Sequence, residues 1–131
     1  MTRTPKPKII LLIEDNAYVS QSYTYFLKAG GYEVDIAENA LEARKRLKDR
    51  TPDLIMLDLI MPGINGFDFL AEIKKKPKTK GVPVIVISNL CQEGDVERCR
   101  KLGAADYLIK SNFYMRDVLD RIKVFLAAKE A

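Results

Sequence analysis

The sequence predicts a single (βα)5 doubly wound α/β domain whose parallel five-stranded sheet runs in the order 2-1-3-4-5. Three observations carry this. Short apolar runs of the kind that form strands buried on both faces alternate with segments of helical spacing. The runs end abruptly in polar residues and turn chemistry. At the centre, Leu54 to Leu57 stops at Asp58 and is followed by Met61-Pro62-Gly63 and Asn65-Gly66. Finally, 131 residues suffice for one sizeable core and no more.

Residues 1 to 7, with Pro5 and Pro7, read as a loose tail, and the domain is expected over 8–128. Lys8 to Ile13 is the first buried strand and ends in Glu14-Asp15. Asn16 is an N-cap for a helix to about Ala29, with Val19, Tyr23, Phe26 and Leu27 facing inward and Gly30-Gly31 stopping it. Tyr32 to Ile36 alternates as a strand nearer an edge. Asn39 caps a second helix to about Lys48, with Ala40, Ala43 and Leu47 as its inward stripe. Thr51-Pro52 breaks it before the central strand.

A third helix is expected from about Phe67 to Lys76, with Leu70 and Ile73 inward and Pro77 and Gly81 closing it. Pro83 to Ile87 is a buried strand ending in Ser88-Asn89. A fourth helix falls within Gln92 to Leu102, with Gly94 weakening its start and Gly103 ending it. Tyr107 to Ile109 is the fifth strand and ends in Lys110. The last helix runs from about Tyr114 to Ala128, burying Val118, Leu119, Ile122, Phe125 and Leu126.

Composition narrows the function. With 47% hydrophobic and 31% charged residues the chain is of ordinary globular make-up. No run approaches the roughly 18 apolar residues of a membrane span. Residues 1 to 8 lack the apolar region of a signal peptide, so a cytoplasmic location is expected. Of the 22 basic residues, Arg3, Lys6 and Lys8 lie in a leading stretch without an acid; the rest nearly balance the 18 acids. The cluster Lys74-Lys75-Lys76 with Lys78 and Lys80 reads as a solvated helix end favoured by the macrodipole. No aromatic interleaves with it, which speaks against direct nucleic-acid binding. Cys91 and Cys99, on one helix, would stand about 12 Å apart, too far for a disulfide. The chain has no histidine, which removes Ser-His-Asp and Cys-His catalysis.

The strand tips carry the chemistry: Glu14, Asp15, Asp58, Ser88 and Lys110. In an open α/β sheet that edge is where ligands bind, and this strand order puts the topological switch point between the first and third strands. Three converging carboxylates repel unless a cation relieves them. Hard oxygen ligands open to water suit Mg2+, with Mn2+ as a substitute, rather than zinc. A lysine and a hydroxyl opposite that ion are what a phosphoryl group needs. A carboxylate nucleophile is already ionised at neutral pH and needs no base. The expected product is an aspartyl phosphate on Asp58.

Four pieces in order, Ile-Glu14-Asp15-Asn, Leu-Asp58-Leu-Ile-Met-Pro62-Gly-Ile-Asn-Gly66, Val-Ile-Ser88 and Gly103-Ala-Ala-Asp-Tyr107-Leu-Ile-Lys110, resemble the receiver domains of two-component response regulators over about residues 8 to 128. The resemblance implies a flavodoxin-like fold and Asp58 as phosphoacceptor. It implies Mg2+ held by Asp15, Asp58 and the backbone carbonyl of Ile60, with Glu14 acting through water. Lys110 would hold one phosphoryl oxygen and Ser88 would donate to another. Ser88 and Tyr107 would switch the face made by the fourth helix, fifth strand and fifth helix. The implied donor is a sensor histidine kinase or a histidine phosphotransfer protein. The implied output is a downstream protein or a homodimer, without turnover of an external substrate. Two positions depart from the family. Ser111 replaces the usual proline after the lysine, so the chain either sustains the strain of a cis-like Lys110–Ser111 peptide, the slightly favoured reading, or brings Lys110 to the site differently. Asn89 stands where a small residue is usual.

Three other readings compete. A phosphohydrolase with an aspartyl intermediate would place an acid two residues after the nucleophile, where this chain has Ile60. A flavin-binding electron carrier needs a Ser/Thr/Gly-rich phosphate loop, and Glu14-Asp15-Asn16 has the wrong charge. A degenerate receiver acting only through protein contacts does not need an intact acid set and lysine.

Overall fold

A computed structural model describes residues 6–89, 93–110 and 115–130. Five parallel strands, β1 (Ile9–Ile13), β2 (Glu33–Ala37), β3 (Leu54–Asp58), β4 (Val84–Ser88) and β5 (Asp106–Ile109), form one sheet in the order 2-1-3-4-5. Between and after them lie α1 (Ala17–Ala29), α2 (Ala40–Asp49), α3 (Gly66–Lys75), α4 (Glu93–Lys101) and α5 (Met115–Glu130). The expected architecture and strand order are those observed.

The continuous apolar runs conceal a period of two. Ile10 and Leu12 of β1, Leu54 and Met56 of β3, and Ile85 and Ile87 of β4 pack with Tyr23 and Leu27 of α1 and Val118, Ile122 and Leu126 of α5. Their neighbours Leu11, Ile13, Ile55, Leu57, Val84 and Val86 join Ala40 and Ala43 of α2, Phe69, Leu70 and Ile73 of α3, and Cys99 of α4. Alternate side chains thus enter opposite layers, and both layers are apolar because helices cover each face. β3 lies at the centre with all five residues buried, which fixes Asp58 in the middle of the sheet edge.

The caps follow the sequence. The Asn16 side chain accepts from Val19 N at 3.2 Å and Asn39 from Glu42 N at 2.8 Å, satisfying first-turn donors. Three details differ from expectation. α3 starts at Gly66, with Asn65 as its cap accepting from Phe67 N at 2.9 Å. The turn before it forms a two-stranded antiparallel hairpin, Ile60–Met61 with Ile64–Asn65, whose arms are too short to show an alternating pattern. On α1, Phe26 faces solvent and Ser20 is buried in its stead; helical spacing leaves the edge of an apolar stripe free by one position.

Lys74 departs from the expected solvated cluster. It does not share the solvated end of α3. Its ammonium donates to Val82 O at 2.6 Å and Lys80 O at 3.2 Å, stitching α3 to the segment that leads into β4. Burial lowers its pKa. Cys91 with its expected spacing from Cys99, the Lys110–Ser111 peptide and most of the expected tail over residues 1 to 7 lie outside the described residues.

Candidate functional site

Parallel pairing brings the polar strand tips together. Ile13 pairs with Leu57, Asp58 with Ile87, and Ser88 with Ile109. Glu14, Asp58, Ser88 and Lys110 therefore leave three adjacent strands and the next one out along a single edge. Glu14 N still donates to Ala37 O at 3.0 Å, so its backbone is held by the sheet. A cup of about 230 Å³ opens there, lined by Glu14, Asp15, Asn16, Asp58, Ile60, Asn89 and Lys110.

The carboxylate of Asp58, 5% exposed, is fixed at both oxygens. Ile60 N donates to Oδ1 at 3.0 Å and Lys110 Nζ to Oδ2 at 3.1 Å. Lys110 Nζ also donates to Glu14 Oε2 at 2.9 Å, while Asn16 N reaches Glu14 Oε1 at 3.3 Å. Glu14 is 3% exposed. Its pKa is raised, first by burial and further by the charge of Asp58, against the hydrogen bond from Lys110. Burial disfavours the Lys110 ammonium, yet its bonds to Glu14 and Asp58 prevail and leave its pKa above the ordinary value.

Asp15 is exposed and completes the acidic set. One oxygen from each of Glu14, Asp15 and Asp58 lies within 4.8 Å of the others. Three carboxylates against one ammonium leave an excess of negative charge, and their hard oxygens at an open mouth fit a small divalent cation that retains water. Asn16 and Ile60 line the same mouth.

Two expected residues stand apart from the cup wall. Ser88 occupies the tip of β4 but is wholly buried, and Asn89 takes the wall on that side. Tyr107 is half-buried on β5 and packs against the layer that holds Cys99, lining a groove of about 170 Å³ with Val96 and Arg100 of α4. The direct bond between Lys110 and Glu14 was not foreseen. Nothing local in either segment signals it, because 96 residues separate the partners.

Fold and site together define a class: a doubly wound domain that gathers acids around one lysine at the tips of its central strands. Comparison with known proteins makes the class specific. The family profile of the response regulator receiver domain matches residues 10–123. The chain is 34% identical over 120 residues to the phosphate regulon transcriptional regulatory protein PhoB of Rhizobium meliloti (strain 1021), covering 92% of this chain and 52% of that protein. It is 31% identical over 104 residues to the polar-differentiation response regulator DivK of Brucella anthropi, covering 79% of this chain and 85% of that one. A CheY-like receiver domain protein from Methanospirillum hungatei superposes with a TM-score of 0.87 at 27% identity, over 95% of this chain and 97% of its own. The Mn2+-bound form of response regulator Rcp1 does so with a TM-score of 0.78 at 33% identity, over 91% and 94%. The chain belongs to the response regulator receiver domain family. It spans about half the length of the PhoB relatives it matches, 52% for the one above. No described helix is long and apolar enough to cross a membrane.

Proposed function

We propose that this receiver domain is a phosphorylation-activated switch in which Asp58 accepts a phosphoryl group from a phosphohistidine on a sensor kinase or histidine phosphotransfer protein. The observation that carries this reading is the pair of bonds from Lys110 Nζ, 2.9 Å to Glu14 and 3.1 Å to Asp58. A cation held against the nucleophile is available to a phosphoryl oxygen without any rearrangement of the strands. An Asp58 oxygen forms the new O–P bond as the donor's N–P bond breaks, and the freed imidazole regains its proton from water. Ile60 N–H and Lys110 keep the carboxylate oriented for in-line approach. Ser88 turns from its buried position to donate to a phosphoryl oxygen.

Asp15, Asp58 and the Ile60 carbonyl would hold Mg2+, with Glu14 supporting through water because Lys110 already engages it. The acidic set supports this, as does the Mn2+ bound by the related Rcp1. The ion would neutralise charge building on the transferring group. The chain is read as cytoplasmic and as acting on itself rather than on an external substrate. A phosphohydrolase reading lacks the second acid at Ile60.

The donor's docking place is read as α1. From Ala17 to Leu27 the helix carries no charged residue, and Tyr18 and Tyr25 are 85% and 71% exposed. Uncharged exposed aromatics beside the cup mark a contact face. The output is read as the surface of α4, β5 and α5, where Tyr107 and Val96 border a groove. There a shift at Ser88 and Tyr107 would alter binding of a downstream protein or a second copy.

Treatment with acetyl phosphate and Mg2+, followed by intact-mass measurement, is expected to add one hydroxylamine-labile phosphoryl group, absent in Asp58→Asn and without Mg2+. An adduct that persists in Asp58→Asn would reject the assignment.

A further inference from the structure

The lysine-rich end of α3 does not stand alone in three dimensions. It meets α2 across a hollow of about 530 Å³ lined by Leu41, Arg44, Lys45, Leu47, Lys48, Lys76, Lys78 and Thr79, without an acid among them. A second hollow of about 410 Å³ shares Leu41 and Arg44 and continues to Pro62 and Gly63, just past the cup. The rim is built rather than loose. Thr79 Oγ1 donates to Ile73 O at 2.6 Å, Lys78 Nζ to Lys48 O at 3.2 Å, and Lys80 N to Lys76 O at 2.8 Å.

Arg44 is engaged by Glu72 through two bonds of 2.8 Å, and Lys76 reaches the same carboxylate at 3.5 Å. Among the described residues no carboxylate forms an ion pair with Lys45, Lys48 or Lys78. At one end of this positive groove Leu41 is 62% exposed, an apolar side chain that no core contact requires.

We propose that the α2–α3 groove is a second interaction surface, which takes an acidic polypeptide segment carrying an apolar anchor. Charge complementarity selects an acidic partner, and Leu41 supplies an apolar contact that a purely electrostatic patch would lack. A single-stranded nucleic acid is disfavoured because no aromatic lines the groove to stack its bases. The surface is distinct from the cup, since none of its cations lines that cup.

The test uses the whole chain and a fluorescein-labelled synthetic peptide of glutamates interrupted by leucines, followed by fluorescence anisotropy at physiological ionic strength. Comparison probes are the same peptide with serines for leucines and a labelled oligothymidylate. Saturable binding of the leucine peptide is expected, weakened about tenfold in Lys45→Gln/Lys48→Gln and about threefold in Leu41→Ser. All three substitutions are on the exposed side of α2, and circular dichroism together with acetyl-phosphate labelling of Asp58 checks that the fold is kept. No saturable binding would overturn the proposal. So would binding that both variants leave unchanged, or equal binding of the serine peptide or the oligothymidylate.

Discussion

Lys110 donates to two carboxylates that are almost fully buried, and neither has another cation within reach among the described residues. Removing the ammonium leaves Glu14 and Asp58 to repel each other out of contact with most of the solvent. Lys110→Ala is therefore expected to lower stability by about 2 kcal/mol at neutral pH, measured by urea unfolding in EDTA, and to impair acetyl-phosphate labelling while the fold is retained. The sign of the pH dependence follows from the raised lysine pKa. The stabilisation is complete below the ordinary lysine value and fades only as pH climbs through the higher folded one. Cys99 offers a contrasting case. It is wholly buried, and its thiol is pushed up to about 11, first by burial, with Asp95 adding and Arg98 opposing. At pH 8 only about one such thiol in a thousand is ionised. Iodoacetamide should leave Cys99 unmodified in the native protein and alkylate it in urea, as peptide mapping by mass spectrometry would show.

At the scale of elements, the start of α3 is the tightest joint near the site. A Cβ on Gly66 would lie 2.4 Å from Leu59 O and 2.5 Å from Leu59 Cα, and backbone cannot yield as a side chain does. Gly66→Ala is expected to cost about 3 kcal/mol and to shift the segment that carries Asp58 and Ile60, read as a lower melting temperature with slower phosphoryl labelling. The sequence made strands and caps legible because apolar runs, Asn16 and Asn39 act locally. Asn65-Gly66 reads in the sequence as turn chemistry alone, and the cap role of Asn65 becomes visible only with Gly66 pressed on Leu59. The strand tips were legible as a set because parallel pairing with this order permits few arrangements. What stayed hidden depended on distant partners: Lys110 on Glu14, Lys74 on the Val82 carbonyl, and the lysines of α2 facing those beyond α3.

Over the whole molecule, two apolar layers share one sheet, and β3 contributes alternate residues to both. Both layers rest on the same strands, so loss of strand pairing removes the platform of each. Phe69→Ala in one layer and Ile122→Ala in the other are each expected to cost about 3–4 kcal/mol. Both should leave a single cooperative transition by far-ultraviolet circular dichroism; separate transitions would mean the layers unfold independently. The bond between Glu14 and Lys110 has a temporal meaning as well. A nascent chain emerging from the ribosome carries Glu14, Asp15 and Asp58 long before it carries Lys110, so the acids are made without the ammonium that pairs with two of them. The two bonds that span the cup therefore form only after β5 has been translated and has paired with β4.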